Sequence, residues 1–243
     1  MEHATPAVNV ENARVYLGGH EILHNISWQV QRGERCFILG ANGAGKTTTL
    51  RMICTLLQVT DGSITVCGHD VMKEADEVRK IISYLPEDSG AYKDLTGRQY
   101  IRFMAAFFAD GEKFQQMVDK GIEMSNLGDR IDSKVSTYSK GMMRRLLIAR
   151  AMMPEPRLAI MDEITSGLDV MNAYEIREIV RGIAKEGVTV LISSHNMFEV
   201  ESLCNRVAMI NHGDIVECGT PAELKEKYNA NNLEEVFVKA VRK

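Results

Sequence analysis

Up to Leu39 apolar residues alternate with polar ones, and beyond Thr47 they fall into helical spacing. Ala7–Val10, Ala13–Tyr16, Ile26–Val30 and Cys36–Leu39 read as short strands, broken at Gly18-Gly19 and Arg32-Gly33-Glu34. Leu50, Ile53, Cys54 and Leu57 then sit at i, i+3, i+4 and i+7, the stripe of one helix face. Strand Ile64–Val66, a charged helix over Val71–Lys80 and strand Ile81–Leu85 follow, and Pro86 closes that half. Residues 96–153 carry almost no strand signal: Thr96–Ala109, Phe114–Met124 and Ser139–Met153 predict helices. Alternation returns with strand Leu158–Met161, helix Val170–Glu186, strand Val188–Ser193 and helix Asn196–Leu203. A hairpin, Arg206–Asn211 and Asp214–Cys218 around His212-Gly213, precedes a helix from Pro221. Strand–helix alternation interrupted by an all-helical block predicts an α/β core with a helical insertion.

Composition narrows the class. The chain has 243 residues, 45% of them hydrophobic and 26% charged, which is globular rather than disordered. Lys and Arg number 29 against 33 Asp and Glu, a net charge of −4, so a nucleic-acid partner is not expected. No stretch approaches the roughly 18 consecutive apolar residues of a spanning helix, and Met1–Pro6 lacks the basic-then-apolar layout of a secretory leader. The expected location is cytoplasmic. Cys36, Cys54, Cys67, Cys204 and Cys218 are widely spaced with no C-x-x-C pair, and no disulfide or cysteine metal site is expected of them.

The chemistry begins at Gly40-Ala41-Asn42-Gly43-Ala44-Gly45-Lys46-Thr47, which matches G-x-x-x-x-G-K-[ST] between an apolar strand and a helix. Glycines let backbone N–H groups curl round phosphate oxygens, and a helix N-terminus adds partial positive charge. Lys46 then suits the β- and γ-phosphates, the Thr47 hydroxyl suits Mg²⁺, and Thr48 continues the cradle. A glycine-rich turn carrying a surface lysine is the bland alternative. A dinucleotide site is excluded, because G-x-G-x-x-G lacks its third glycine here. Leu158-Ala159-Ile160-Met161 ends in Asp162-Glu163, a pair of acids where open α/β sheets bind ligands; a helix N-cap is the alternative. The strand Val188–Ser193 delivers Ser194-His195 to the same kind of position.

Read in order, these pieces resemble the ATP-binding subunit of ABC transporters. Tyr138-Ser139-Lys140-Gly141-Met142 resembles the ABC signature, usually L-S-G-G-Q; Ser166-Gly167-Leu168-Asp169 resembles the D-loop; Ser193-Ser194-His195 resembles the switch histidine segment. Tyr16 lies where the family places an aromatic that stacks on adenine. The resemblance runs from about Val8 to Tyr228. It departs at Gly141-Met142, at Glu87 where glutamine is usual, and at Ile164 where proline is usual. Glu87 and the Ser-Lys-Gly-Met signature look like the ABC-2-type exporter branch.

The resemblance implies an α/β P-loop fold: a mainly parallel sheet core, an N-terminal antiparallel β-subdomain and a helical insertion. A single ATPase domain over 1–243 is expected, its core about 1–86 and 155–227, its helical subdomain about 87–154 and its tail 228–243. ATP and Mg²⁺ are the implied cofactors. Lys46, Glu163 and His195 are the implied catalytic residues, with Glu163 as base and His195 on the γ-phosphate and water. Thr47, Glu87 and Asp162 are the implied metal residues. Tyr16, the loop from Gly40 to Thr48, and Ser139, Gly141 and Asp169 of a partner chain complete the nucleotide site. The implied partners are a multi-span membrane permease and a second ATPase subunit, so that the chain is peripheral on the inner face of the membrane. A soluble ABC-type ATPase acting on DNA or ribosomes is the competing class, but such relatives carry long coiled coils or two cassettes. A kinase or GTPase would leave the signature unexplained, and a non-hydrolysing regulator would not need Glu163 and His195. Tyr92, Tyr100, Phe103, Phe107 and Phe108 are expected to fill the helical subdomain's own core, or else to line a groove for a permease helix. Leu233, Val236, Phe237, Ala240 and Val241 predict an amphipathic tail helix packed on its own domain.

Overall fold

A computed structural model describes residues 5–242, so the reading of Met1–Ala4 lies outside the described residues. The strands are β1 (Val8–Leu17), β2 (His20–Val30), β3 (Arg35–Leu39), β4 (Asp61–Val66), β5 (His69–Asp70), β6 (Ile82–Leu85), β7 (Leu158–Asp162), β8 (Thr189–Ser194), β9 (Arg206–Asn211) and β10 (Asp214–Gly219). The helices are α1 (Lys46–Ile53), α2 (Ala75–Ile81), α3 (Gly97–Ala105), α4 (Gly111–Ser125), α5 (Lys140–Met152), α6 (Val170–Lys185), α7 (Met197–Leu203), α8 (Pro221–Tyr228) and α9 (Leu233–Val241).

Two sheets result. One is antiparallel, in the order β2-β1-β4-β5; the other has the order β10-β9-β3-β8-β7-β6 and is parallel except for its hairpin edge β10. Strand β3 shows how they are joined. Its residues are buried on both faces, as parallel strands require: Phe37 and Leu39 pack into a core with the helical segment, and Cys36 and Ile38 into a core with the antiparallel sheet. The parallel sheet core, the antiparallel sheet and the all-helical segment are the architecture anticipated above. Among the described residues no helix is long and apolar enough to cross a membrane.

Several boundaries differ from the sequence pattern, each for a local reason. The two strands read at Ala7–Val10 and Ala13–Tyr16 are one, bent by a register shift at Asn12, whose φ is 51°. Ser27 Oγ accepts the Asn12 N–H at 2.8 Å and holds that bulge. The helix expected from Val71 starts only at Ala75, because the Asp70 carboxylate accepts the N–H groups of Met72 (2.8 Å) and Lys73 (2.9 Å) in a turn. Leu57 lies beyond the end of α1, so the i+7 position is not part of that helix. α3 begins at a capping box between Thr96 and Gln99 and stops at Ala105, leaving Phe107 and Phe108 in a following turn.

The aromatic residues correct the expectation of a filled subdomain core. Only Tyr100 is buried; Tyr92, Phe103, Phe107 and Phe108 are exposed, Phe107 by 70%. Tyr92, Phe103 and Phe107 form an edge-to-face chain with centroids 5.4 and 5.3 Å apart. The tail helix α9 buries Leu233 and Val236 against the same core as α7 and α8. All five cysteines are free thiols.

Candidate functional site

Adjacent parallel strands end at one edge of the sheet, and register alone brings their last residues together. Leu39 pairs with Ser194, and Asp162 with Ser193, so the loop after β3, the acids after β7 and the histidine after β8 share one crevice. In the loop, Gly43 and Gly45 have φ of 79° and 110°, and a Cβ on Gly45 would lie 2.7 Å from the Leu23 side chain. Gly45 is the residue before the first turn of α1, so the loop leads directly into that helix terminus and its partial positive charge. The turn of the β9–β10 hairpin braces this loop from outside: Gly213 N–H donates to Ala44 O at 3.0 Å, and Gly213 O accepts from His24 N–H at 2.9 Å.

Lys46 is buried, its Nζ donating to the carbonyls of Gly40 (2.9 Å) and Ala41 (3.2 Å) and lying 3.3 Å from Glu163 Oε1. Thr47 Oγ1 donates to Asp162 Oδ2 at 2.8 Å, and Ser193 Oγ donates to Asp162 Oδ1. Ser193 Oγ also accepts the Glu163 N–H at 3.2 Å. Glu163 has φ of 48°, a conformation that turns its carboxylate from the strand into the crevice. His195 Nδ1 lies 2.8 Å from Glu163 Oε2. The sequence placed His195 on phosphate and water; its observed partner is the Glu163 carboxylate. A cavity of about 280 Å³ is walled by Asn42, Gly43, Gly45, Lys46, Thr47, Thr48, Glu87 and Glu163, with Ile22 on the side of β2.

Not every candidate joins this cluster. Tyr16 stands half-exposed at the end of β1, paired with Glu21, and the cavity wall on that side is Ile22. Ser139, Gly141 and Asp169 form a second group. Ser139 Oγ accepts the Met142 N–H at 3.2 Å and caps α5; Asp169 accepts the N–H of Asn172 at 3.0 Å and caps α6. Those bonds hold the Asp169 carboxyl below its ordinary pKa. A Cβ on Gly141 would fall 1.8 Å from Asn172 Oδ1, so any larger residue forces the Asn172 side chain aside. A second cavity of about 490 Å³ runs from Ser139 and Lys140 to Gly167 and Leu168, and Glu87 lines both cavities.

Three residues of this region, Ile22, Asn172 and Arg144, are not among the sequence candidates, and a fourth, Ser193, stood there only as part of the switch histidine segment. Arg144 donates from Nη2 to the Glu87 carbonyl at 3.3 Å. Burial pushes its guanidinium pKa down against the opposing pull of Glu87, Asp162 and Asp88. Arg145 is ion-paired with Glu175. Ser193 had a legible signal, a hydroxyl at the end of a strand beside the acid pair; the contacts of Arg144 and Asn172 depend on helix packing.

The donor set suits a nucleotide and a hard cation. Two hydroxyls, a carboxylate 2.8 Å from one of them, a buried lysine and a glycine-permitted ring of N–H groups match triphosphate oxygens and a small oxygen-liganded metal. The comparisons agree. Residues 23–166 match the family model described as ABC transporter. The linearmycin resistance ATP-binding protein LnrL of Bacillus subtilis is 33% identical over 236 residues, 96% of this chain and 76% of that protein. The ABC transporter ATP-binding protein NatA of the same organism is 34% identical over 218 residues, 89% of each chain. The daunorubicin/doxorubicin resistance ATP-binding protein DrrA of Streptomyces peucetius is 35% identical over 232 residues, 94% of this chain and 70% of that one. A solved ATP-binding subunit of an ABC transporter superposes with a TM-score of 0.85 at 25% identity, covering 97% of this chain and 99% of that one. These similarities give no support to a DNA- or ribosome-directed ATPase. The chain belongs to the ABC transporter family, as an ATP-binding subunit and ATPase of the kind that works with a membrane permease.

Proposed function

We propose that this chain hydrolyses MgATP at two composite sites in a head-to-tail pair and drives export through a separate permease. The observation that carries the reading is the convergence of Lys46, Thr47, Asp162, Glu163 and His195 at the ends of three neighbouring strands. Lys46 and the Gly40–Thr48 loop hold the phosphates. Thr47 and Asp162, with Glu87 at the cavity wall, hold Mg²⁺, which when bound neutralises charge on the phosphate oxygens. Glu163 takes the proton of the attacking water, and His195, hydrogen-bonded to that carboxylate, keeps it oriented. Ser139 at the capped start of α5, with Gly141 and Asp169, meets the phosphates of the other copy, and Tyr16 packs on the base. One chain carries both half-sites, so two copies suffice for two complete sites.

Export is supported by a relative named Nod factor export ATP-binding protein I, beside LnrL and DrrA, which are named for resistance to linearmycin and to daunorubicin/doxorubicin. The unit spans 1–243, its core about 1–86 and 155–227, its helical subdomain about 87–154 and its tail 228–243. The exposed Tyr92, Phe103 and Phe107 chain beside the Glu87 segment is the permease-facing surface, which puts the protein at the inner face of the membrane.

The test is recovery of tagged protein from gently solubilised membranes with mass spectrometry of what copurifies. A multi-span membrane protein in stoichiometric amount is expected, and Phe103→Ser with Phe107→Ser should lose it while ATP binding persists. Recovery free of membrane protein, with ribosomal proteins or DNA instead, would overturn the reading.

A further inference from the structure

Glu199 is a carboxylate in the wrong place for ordinary packing. It is the third residue of α7, only 1% exposed, at a position where helix and sheet pack. Burying a carboxylate costs several kcal/mol unless partners offset it, so its contacts are informative. Ser194 Oγ donates to Glu199 Oε2 at 2.8 Å, while Oε1 is buried without a hydrogen-bond partner. The same Ser194 hydroxyl accepts the Asn196 N–H at 3.0 Å, and Asn196 Oδ1 accepts the Glu199 N–H at 3.2 Å. Ser194, Asn196 and Glu199 thus close a ring of bonds across the turn that carries His195. His195 itself is half-exposed and reaches Glu163 through Nδ1.

The carboxyl has a second neighbour. The Thr165 side chain, like that of Ser194, favours its charged form, whereas burial pushes its pKa up. Thr165 belongs to the turn leaving β7, in which Ser166 N–H donates to Glu163 O at 3.0 Å and Leu168 N–H to Thr165 O at 3.2 Å. The buried carboxylate is thus tied by a hydrogen bond to the exit of β8, with the turn leaving β7 within its electrostatic reach.

We infer that Glu199 is a positioning residue for ATP turnover: through Ser194, and with Asn196, it fixes the turn that carries His195. This rests on the proposed roles of Glu163 and His195. Without that tie, His195 keeps its ring but loses the backbone frame that aims it, so turnover suffers and nucleotide binding does not.

The test uses the full chain and four variants, Glu199→Ala, Glu199→Gln, Ser194→Ala and the Glu199→Ala/Ser194→Ala double variant. Val200→Ala on the same helix is the reference for lost packing, since Val200 is fully buried and takes no part in the ring. Glu199→Ala should lower kcat by about tenfold or more, with the ATP dissociation constant within about threefold of the parent. Val200→Ala, which leaves a cavity, should lower Tm and keep kcat within about twofold. Glu199→Gln retains an oxygen that accepts from Ser194 and should recover most of the rate, whereas the double variant should be no worse than Glu199→Ala. If Glu199→Ala fails to fold, Ser194→Ala deletes the same link and carries the same expectation. A kcat within about threefold of the parent, a rate loss that tracks Tm as in Val200→Ala, or a weakened ATP affinity of the same size would overturn the inference. His195→Ala run alongside separates the levels: normal turnover in that variant means that the reading of the site itself has failed.

Discussion

Replacing Glu163 by glutamine isolates charge from shape, and the structure sets the size of both effects. The carboxylate has two partners, Lys46 Nζ at 3.3 Å and His195 Nδ1 at 2.8 Å, and is 7% exposed. Its attraction to Lys46 amounts to about 5 kcal/mol gross at an effective dielectric constant of about 20. Desolvation of the two buried groups offsets most of that, leaving on the order of 1 kcal/mol for an ion contact in which Lys46 gives its hydrogen bonds to Gly40 and Ala41. A phosphate that takes Lys46 must displace this contact, so Glu163→Gln should tighten ATP binding by up to about tenfold. Lys46 keeps the Gly40 and Ala41 carbonyls, so the variant should fold. Loss of a general base removes about 10²–10⁴ in rate, roughly 3–5 kcal/mol of barrier. The assay is steady-state phosphate release beside equilibrium binding of a fluorescent ATP analogue. Turnover within about tenfold of the parent would remove Glu163 from the base role, and weaker ATP binding would mean that the Lys46 contact does not compete with phosphate.

Three further expectations follow from the same geometry. Lys46→Ala should lose ATP affinity by about tenfold or more in the binding assay, since it removes the buried cation of the loop; unchanged affinity would refute the phosphate-loop role. Gly141→Ala should lower stability by about 1–3 kcal/mol in denaturant unfolding and displace Asn172, whose Oδ1 would lie 1.8 Å from the new methyl group. His24, whose pKa is raised chiefly by its hydrogen bond to Asp214, stabilises the fold when protonated. That contribution is complete below the unfolded histidine value of about 6.5 and fades as pH rises through the higher folded value. The pair is exposed, so a Tm series should show at most about 0.5 kcal/mol lost, and Asp214→Asn should flatten it.

How much of this was legible before the fold is instructive in its parts. The loop from Gly40 to Thr48 and the acids after Met161 announce themselves because each needs one residue type at one spacing next to an apolar strand. The order β9-β3-β8-β7 that brings them together is not written in any local pattern, since β3 has its neighbours from the far end of the chain. The contact of Arg144 with Glu87 exists only once α5 packs behind the segment after β6. The aromatic cluster went astray because period and composition register hydrophobicity, not which side of a helix lacks a partner: Tyr100 faces inward and Phe103 outward on the same helix.

The brace from Gly213 to Ala44 has a consequence for how the protein is born. The phosphate loop lies near the start of the chain, yet its support and both neighbours of β3 come from residues beyond 188. A ribosome adding about 5–20 residues per second takes many seconds to cross that interval. During that time the loop has its glycines and its lysine but neither flanking strand nor the hairpin tip. Long-range closure of this kind is slow, and the nascent chain therefore lacks a braced phosphate loop until the last strands are made. A nucleotide held by the braced loop is held by a nearly finished molecule, so that its binding there reports completion of the fold.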